Sequence, residues 1–194
     1  MFRKIAAIAA VATVLGALAV VHAPAQAMGG MAGMNAQKTP AKQPPLSPPA
    51  KAAVSLAGAD ITIDYSTPSV RNRKIFGGLV PFGTVWRTGA NAATTLKTSG
   101  NLMIGSLNVP AGTYTLYSMP GENAWKLIVN KQTGQWGTVY KADQDLGRVD
   151  LKVAKNAAPL EKMVIDFEKT SGAKTTLHIK WDDLDLSVPV MAEK

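Results

Sequence analysis

Beyond residue 50 the chain alternates apolar and polar positions with a period of two. Ile61, Ile63 and Tyr65 are interleaved with Asp60, Thr62 and Asp64. The same beat recurs at Trp125, Leu127 and Val129, at Val149, Leu151 and Val153, at Met163, Ile165 and Phe167, and at Leu177, Ile179 and Trp181. One apolar and one polar face is the mark of antiparallel strands with one side solvated. Turn signals separate the runs: Ala57-Gly58, Ser99-Gly100-Asn101, Pro110-Ala111-Gly112, Pro120-Gly121, Thr133-Gly134 and Ser171-Gly172. No apolar helical period extends past about two turns, short of what a helix assignment needs. The pattern predicts an all-β fold, an antiparallel β-sandwich of jelly-roll-like character, with a short helical turn near residues 144–147. Its core is the apolar face named above, joined by Leu96, Leu102, Ile104, Tyr114 and Leu116.

The first 50 residues break this pattern. Arg3 and Lys4 precede an uncharged, alanine-rich stretch at 5–21, and Ala25-Gln26-Ala27 then offers a small-x-small cleavage site. That is the layout of an export signal over residues 1–27, and it places the mature protein in the periplasm or outside the cell, with no stable membrane span after cleavage. Residues 28–50 are rich in Met, Gly, Pro, Ala and Lys and carry no hydrophobic period. Such a stretch buries too little apolar area to offset its ordering entropy and is expected to be a disordered linker. Met28, Met31 and Met34 are soft donors, but three thioethers on a mobile chain make a weak copper site. Residues 51–194 then form one domain of ordinary length. The chain has no cysteine, which excludes disulfides, thiolate metal sites and a cysteine nucleophile.

Charge adds a second pattern. Residues after Ala27 carry 19 basic and 13 acidic side chains, a net +6. No acid occurs between Asp64 and Glu122, whereas Arg71, Arg73, Lys74, Arg87 and Lys97 all fall there. From Asp143 onward ten acids face eight bases. One part of the surface is therefore expected to be positive. Its densest piece is the connection at 65–95, YSTPSVRNRKIFGGLVPFGTVWRTGANAATT, with three of the chain's five arginines and turn residues throughout. So much turn chemistry in one connection implies a specified loop shape.

Several constellations compete for chemistry. His178 is the single histidine of the mature chain, on the polar side of its strand, so it reads as solvated and not as part of a Ser-His-Asp arrangement. A histidine zinc site needs more ligands than that. Asp182, Asp183 and Asp185 lack the spacing of a calcium loop and read as a charged strand edge. Gly77-Gly78 and Thr88-Gly89-Ala90-Asn91 fit no nucleotide-binding pattern. No motif implies a cofactor or a metal, and no catalytic residue is assigned. Nucleic acid is a poor partner, because the chain carries no recognition motif and is exported.

What remains is a binding constellation: Trp86, Arg87 and Asn91, with Arg71, Arg73, Lys74 and Tyr65, and Trp136 as a second aromatic wall. Guanidinium groups recognise carboxylate or phosphate at two points, and an adjacent indole can stack on a flat ligand. The opposing reading has Trp86 plugging the end of the sandwich and Arg87 tied to backbone carbonyls.

The blocks IFGGLVPFGTVWRTGANAATT, VPAGTYTLYSMPG and WKLIVNKQTGQWGT stand in that order. In them the chain resembles the bacterial family called "domain of unknown function 2911", with the resemblance covering residues 51–189. It implies a secreted or periplasmic protein of Gram-negative or related bacteria and transfers no activity, cofactor or catalytic residue. The expected function is thus an exported, non-enzymatic β-sandwich that binds a small anionic or sugar-like ligand, an acidic glycan or an envelope component through the 71–91 loop. The alternatives are a carboxylate-dependent hydrolase built around Asp64, and a purely structural envelope module.

Overall fold

The computed structural model describes residues 45–193. The expected signal segment and the linker up to residue 44 lie outside these residues. Nine strands follow in order: β1 (Pro49–Leu56), β2 (Ala59–Ser66), β3 (Thr94–Thr98), β4 (Leu102–Ile104), β5 (Leu107–Val109), β6 (Gly112–Met119), β7 (Trp125–Asn130), β8 (Asp145–Ser171) and β9 (Lys174–Ala192). The described fold is all-β and antiparallel, with spatial order β1-β2-β3-β6-β7-β8-β9-β4-β5. A single 3-10 turn, Ala142–Gln144, stands just before the helical turn expected at 144–147. The first strand opens at Pro49, two residues ahead of the expected domain start at Lys51.

Two long strands turn this order into two layers. Up to Leu151, β8 pairs with β7, and from Lys152 onward it pairs with β9. The alternating runs at 149–153 and 163–167 are therefore one strand of 27 residues. No turn is needed between them because register shifts at Lys155/Leu160 and Leu160/Val164 bend the ladder instead. Asn156 Nδ2 stitches that bend by donating to the carbonyls of Asp182 (3.0 Å) and Leu184 (2.9 Å). Asp182 itself has φ +51°. The β8–β9 hairpin then folds back over β1 and β2, where the Ala57 amide donates to the Gly172 carbonyl at 3.0 Å.

The expected core forms between these layers. Ile61, Ile63, Leu96, Leu102, Leu116, Trp125, Leu127, Met163, Leu177, Ile179 and Trp181 belong to one buried cluster, with Val153 and Phe167 half-buried against it. Two positions depart from simple alternation. Ile128, on the face expected to be polar, is fully buried with Ala93 and Tyr117. The connections carrying Val85 and Tyr140 cover that side of the sheet, so β7 is apolar on both faces. His178, expected to be solvated, is buried with its Nδ1 2.8 Å from Asp185 Oδ1.

Tyr65 ties the layers together. The Ile165 amide donates to its phenol oxygen at 3.0 Å, and Thr67 Oγ1 donates to the Met163 carbonyl. Beyond β2 the chain keeps running along β8, with Met163 N bonded to Pro68 O (3.0 Å) and Val70 N to Glu161 O (2.8 Å). A second tie surrounds Asp145. Tyr140 donates to it (2.7 Å), as do Asn130 (2.8 Å) and Arg148 (2.8 and 3.0 Å).

Two predictions follow from these ties. Tyr65→Phe keeps the ring's packing but orphans the buried Ile165 amide, and it should cost about 1–3 kcal/mol in urea unfolding; an unchanged midpoint would contradict the role. All four tyrosine phenols stand above their ordinary value of 10.0, with burial the largest cause at each. Tyr140 is pushed up to about 12 by burial and by the bond to Asp145, against the opposing Arg148 charge. A phenol that ionises less readily when folded stabilises the native state fully below its unfolded pKa, and that contribution is lost as pH rises through the folded one. Native tyrosinate absorbance should therefore appear later than in the denatured chain, and stability should fall between pH 10 and 12. Coincident titration curves would refute this.

Candidate functional site

The connection between β2 and β3, residues 67–93, crosses from β8 to β6 and closes one end of the core. Its anchors are side chains the sequence supplies at intervals. Ile75 and Val80 are buried in the main core. Phe76 meets Trp125 edge-on at 5.2 Å and Trp181 at 6.1 Å. Trp86 stacks on Trp181 with centroids 5.8 Å apart and planes at 20°, and meets Trp125 edge-on at 6.5 Å. The Trp86 indole N–H donates to the Gly89 carbonyl at 3.1 Å. Backbone bonds between Trp86 and Ser118 (2.7 and 2.8 Å) lash the loop to β6.

Between these anchors the backbone takes unusual shapes. Arg71, Asn72, Thr88 and Asn91 all have φ between +50° and +60°. Asparagine tolerates that region, but a β-branched threonine does so only under constraint. Thr88 is fully buried, with its hydroxyl 2.7 Å from Ser118 Oγ and its carbonyl accepting from Thr94 Oγ1 at 2.8 Å. Those bonds hold the turn that aims Arg87. Gly78 lies close to Lys74, whose carbonyl would be 2.5 Å from a Cβ at that position. The glycine thus serves a tight turn and not a phosphate cradle.

The loop leaves a cavity of about 550 Å³ at its centre. Five of the expected binding residues line it: Arg71, Arg73, Trp86, Arg87 and Asn91. Three do not. Tyr65 is buried in the core, where its hydroxyl serves Ile165. Lys74 lines a separate depression beside Glu122, Asp182 and Asp183. Trp136 is 58% exposed and pairs through its backbone with Ala92, outside the cavity lining. Missed by sequence reasoning were Trp181, whose place on an alternating strand marks it only as core, and the strap at 45–47. That strap was expected to be linker, yet the Leu46 carbonyl accepts from Arg71 Nη2 and the Ser47 carbonyl accepts from Asn91 Nδ2 at 3.2 Å.

Electrostatically the cavity is one-sided. Arg73 is bound to the carbonyls of Val70 (3.0 Å) and Ser69 (2.6 Å), and Arg71 to that of Leu46. Neutral acceptors orient a guanidinium without cancelling its charge. Arg87 Nε is buried with no hydrogen-bond partner among the described residues. No acid lines the cavity, and among the described residues none of these three arginines is in an ion pair. Glu161 reaches the loop but accepts from the Arg71 backbone amide (3.1 Å). Arg87 also lines a second cavity of about 250 Å³, beside Tyr117, Gly137 and Tyr140.

Other acids are committed elsewhere. Asp64, the residue on which a hydrolase would rest, lies 3.0 Å from Lys51 and 3.9 Å from Lys97 and is not part of the cavity lining. Asp185 is bonded to His178, whose second nitrogen lies 3.7 Å from Glu168 and has no hydrogen-bond partner. Burial works against the charge on Lys180, but its contacts with Glu168 and Asp166 outweigh this and raise its pKa. Among the described residues no group of three or more His, Cys, Asp or Glu is placed to hold a metal ion.

No curated protein and no solved structure matches the chain significantly. Residues 47–190 match the family described as "Protein of unknown function (DUF2911)", a span that runs from Ser47 through the whole 67–93 connection and all of β8 to within two residues of the end of β9, and the chain therefore belongs to that family.

Proposed function

We propose that this domain is a non-enzymatic module, acting in the periplasm or outside the cell, that binds a small anionic ligand in the cavity of the 67–93 connection. The observation that carries this reading is the convergence of Arg71, Arg73 and Arg87 on one cavity that no carboxylate lines. A carboxylate or phosphate there would meet guanidinium groups that carbonyl oxygens orient without neutralising. Charge-assisted bonds of this kind are roughly twice as strong as neutral ones. The cavity volume lies within the range of small-molecule sites, which run to several hundred Å³. The basic sign also suits acidic glycans and other anionic envelope components.

Calorimetric titration with inorganic phosphate, acetate and galacturonate tests the reading. At least one of these should bind, and Arg87→Ala should weaken it by about tenfold to a hundredfold, the worth of a hydrogen bond to a charged group. Absence of binding by all three, or equal affinity in the variant, would overturn the proposal. Gly137→Ala probes the same site without removing charge. A Cβ on Gly137 would lie 1.9 Å from Arg87 Cδ and 2.7 Å from the Asn91 carbonyl oxygen. The arginine stem must then move, and affinity should fall although every cation is retained.

A further inference from the structure

Exposed apolar side chains gather around this cavity. Six large hydrophobic residues stand exposed among the described ones: Leu46 (73%), Trp136 (58%), Leu79 (48%), Val139 (45%), Phe82 (38%) and Met191 (37%). All but Met191 belong to the arginine-bearing end. Leu46 and Leu79 line the main cavity, and Leu79 also lines the smaller one. Trp136 pairs with Ala92, the residue after Asn91. The Val139 carbonyl accepts from Tyr117 (2.7 Å), which lines the smaller cavity, whereas Phe82 lines the separate depression beside Lys74. Exposed apolar side chains scattered singly need no explanation, but two of them, Leu46 and Leu79, border the same cavity as the three arginines.

From this we infer that the ligand is a single-chain amphiphile, an alkyl chain ending in a carboxylate or phosphate. The inference rests on the anion-binding reading and adds the chemistry of the other end. The head group meets Arg71, Arg73 and Arg87, and the chain leaves over Leu46 and Leu79. A sugar ring fits the walls less well. Trp86 and Trp181 stack on each other, so each indole gives one face to its neighbour, and Trp86 meets Trp125 edge-on. Aliphatic side chains such as Leu46 and Leu79 offer hydroxyl groups no hydrogen bonds. They do remove methylenes from water, and each methylene buried strengthens binding severalfold. The site would thereby distinguish amphiphilic anions from the small inorganic ones that compete for the same guanidinium groups.

Methyl phosphate and octyl phosphate, the latter held below its micelle concentration, separate the two ideas. With the purified protein, octyl phosphate should bind at least about tenfold more tightly, which burial of roughly two methylenes supplies. Leu79→Ser and Leu46→Ser alter exposed positions and should each lower the octyl-to-methyl affinity ratio. Arg87→Ala should weaken both esters. Equal affinities for the two esters would overturn the amphiphile while leaving anion binding intact. Binding of neither ester would overturn the amphiphile, and anion binding would then stand or fall on acetate and galacturonate. Binding only to vesicles containing an anionic phospholipid would also overturn the inference, because it would make the feature a membrane-facing surface and not a site for one molecule.

Discussion

The indole of Trp86, inserted at the open end of the core and stacked on Trp181, is the contact on which the rest of this end of the molecule depends. Residues 67–93 contain no strand to hold them in the sheet. They are fixed by Ile75, Phe76, Val80 and Trp86 entering the hydrophobic cluster. A large aromatic fully buried covers on the order of 200 Å², worth up to about 5 kcal/mol at about 25 cal/mol per Å², and the partly buried Trp86 gains a fraction of that. Against this stand four non-glycine residues of the loop at positive φ. These cost about 1–3 kcal/mol each for arginine and threonine and less for asparagine. The buried Ile75 and Val80 together with the partly buried Trp86 and Phe76 offset that cost. The loop therefore keeps a strained shape because the core beneath it is apolar and well filled.

That shape decides the electrostatics. Elsewhere cations meet acids across the sheets, as in Lys126 with Asp150 and Lys51 with Asp64. In the loop the guanidinium groups meet carbonyl oxygens: Val70 and Ser69 for Arg73, Leu46 for Arg71. Both arrangements satisfy donors, but only the first neutralises charge. Asymmetry in the sequence, with no acid from 65 to 121, thus becomes asymmetry in space. The long-range pairing of 67–70 with β8 also brings Glu161 to the loop, where the Arg71 amide satisfies one of its oxygens without cancelling its charge.

Much of this was legible from local pattern. Alternation identified strands and core because burial of one sheet face enforces a period of two, as at Ile61, Ile63 and Tyr65. It could not reveal that 145–171 is continuous, since a bulge leaves no fixed sequence mark. Nor could it reveal that Ile128 and His178 are covered, because what covers them comes from distant parts of the chain or from the bend of β9. Within the cavity wall, the places of Arg71, Arg73, Arg87 and Trp86 were legible from composition and turn chemistry, but that of Lys74 was not. Tyr65 was misread for a general reason: a strand residue at the edge of a candidate loop can face either way, and here its hydroxyl serves Ile165. Trp181 and the strap at 45–47 reach the cavity only through tertiary contacts.

The opposing view, that the cavity is a packing defect under a structural loop, has to account for what surrounds it. Defects inside well-packed domains are lined by apolar groups, since a void next to a polar atom leaves that atom unsatisfied. Here the void is bordered by Arg87, whose Nε is buried and unpartnered. Such a donor costs about 1–3 kcal/mol. Beside it Thr88 holds a backbone conformation that a β-branched residue avoids, under bonds from Ser118 and Thr94 that keep it there. Two unfavourable features at consecutive residues add up instead of cancelling, and neither improves the packing of the core. Arg87 shares its wall with Arg71 and Arg73, and the constrained backbone at Thr88 holds that arginine there.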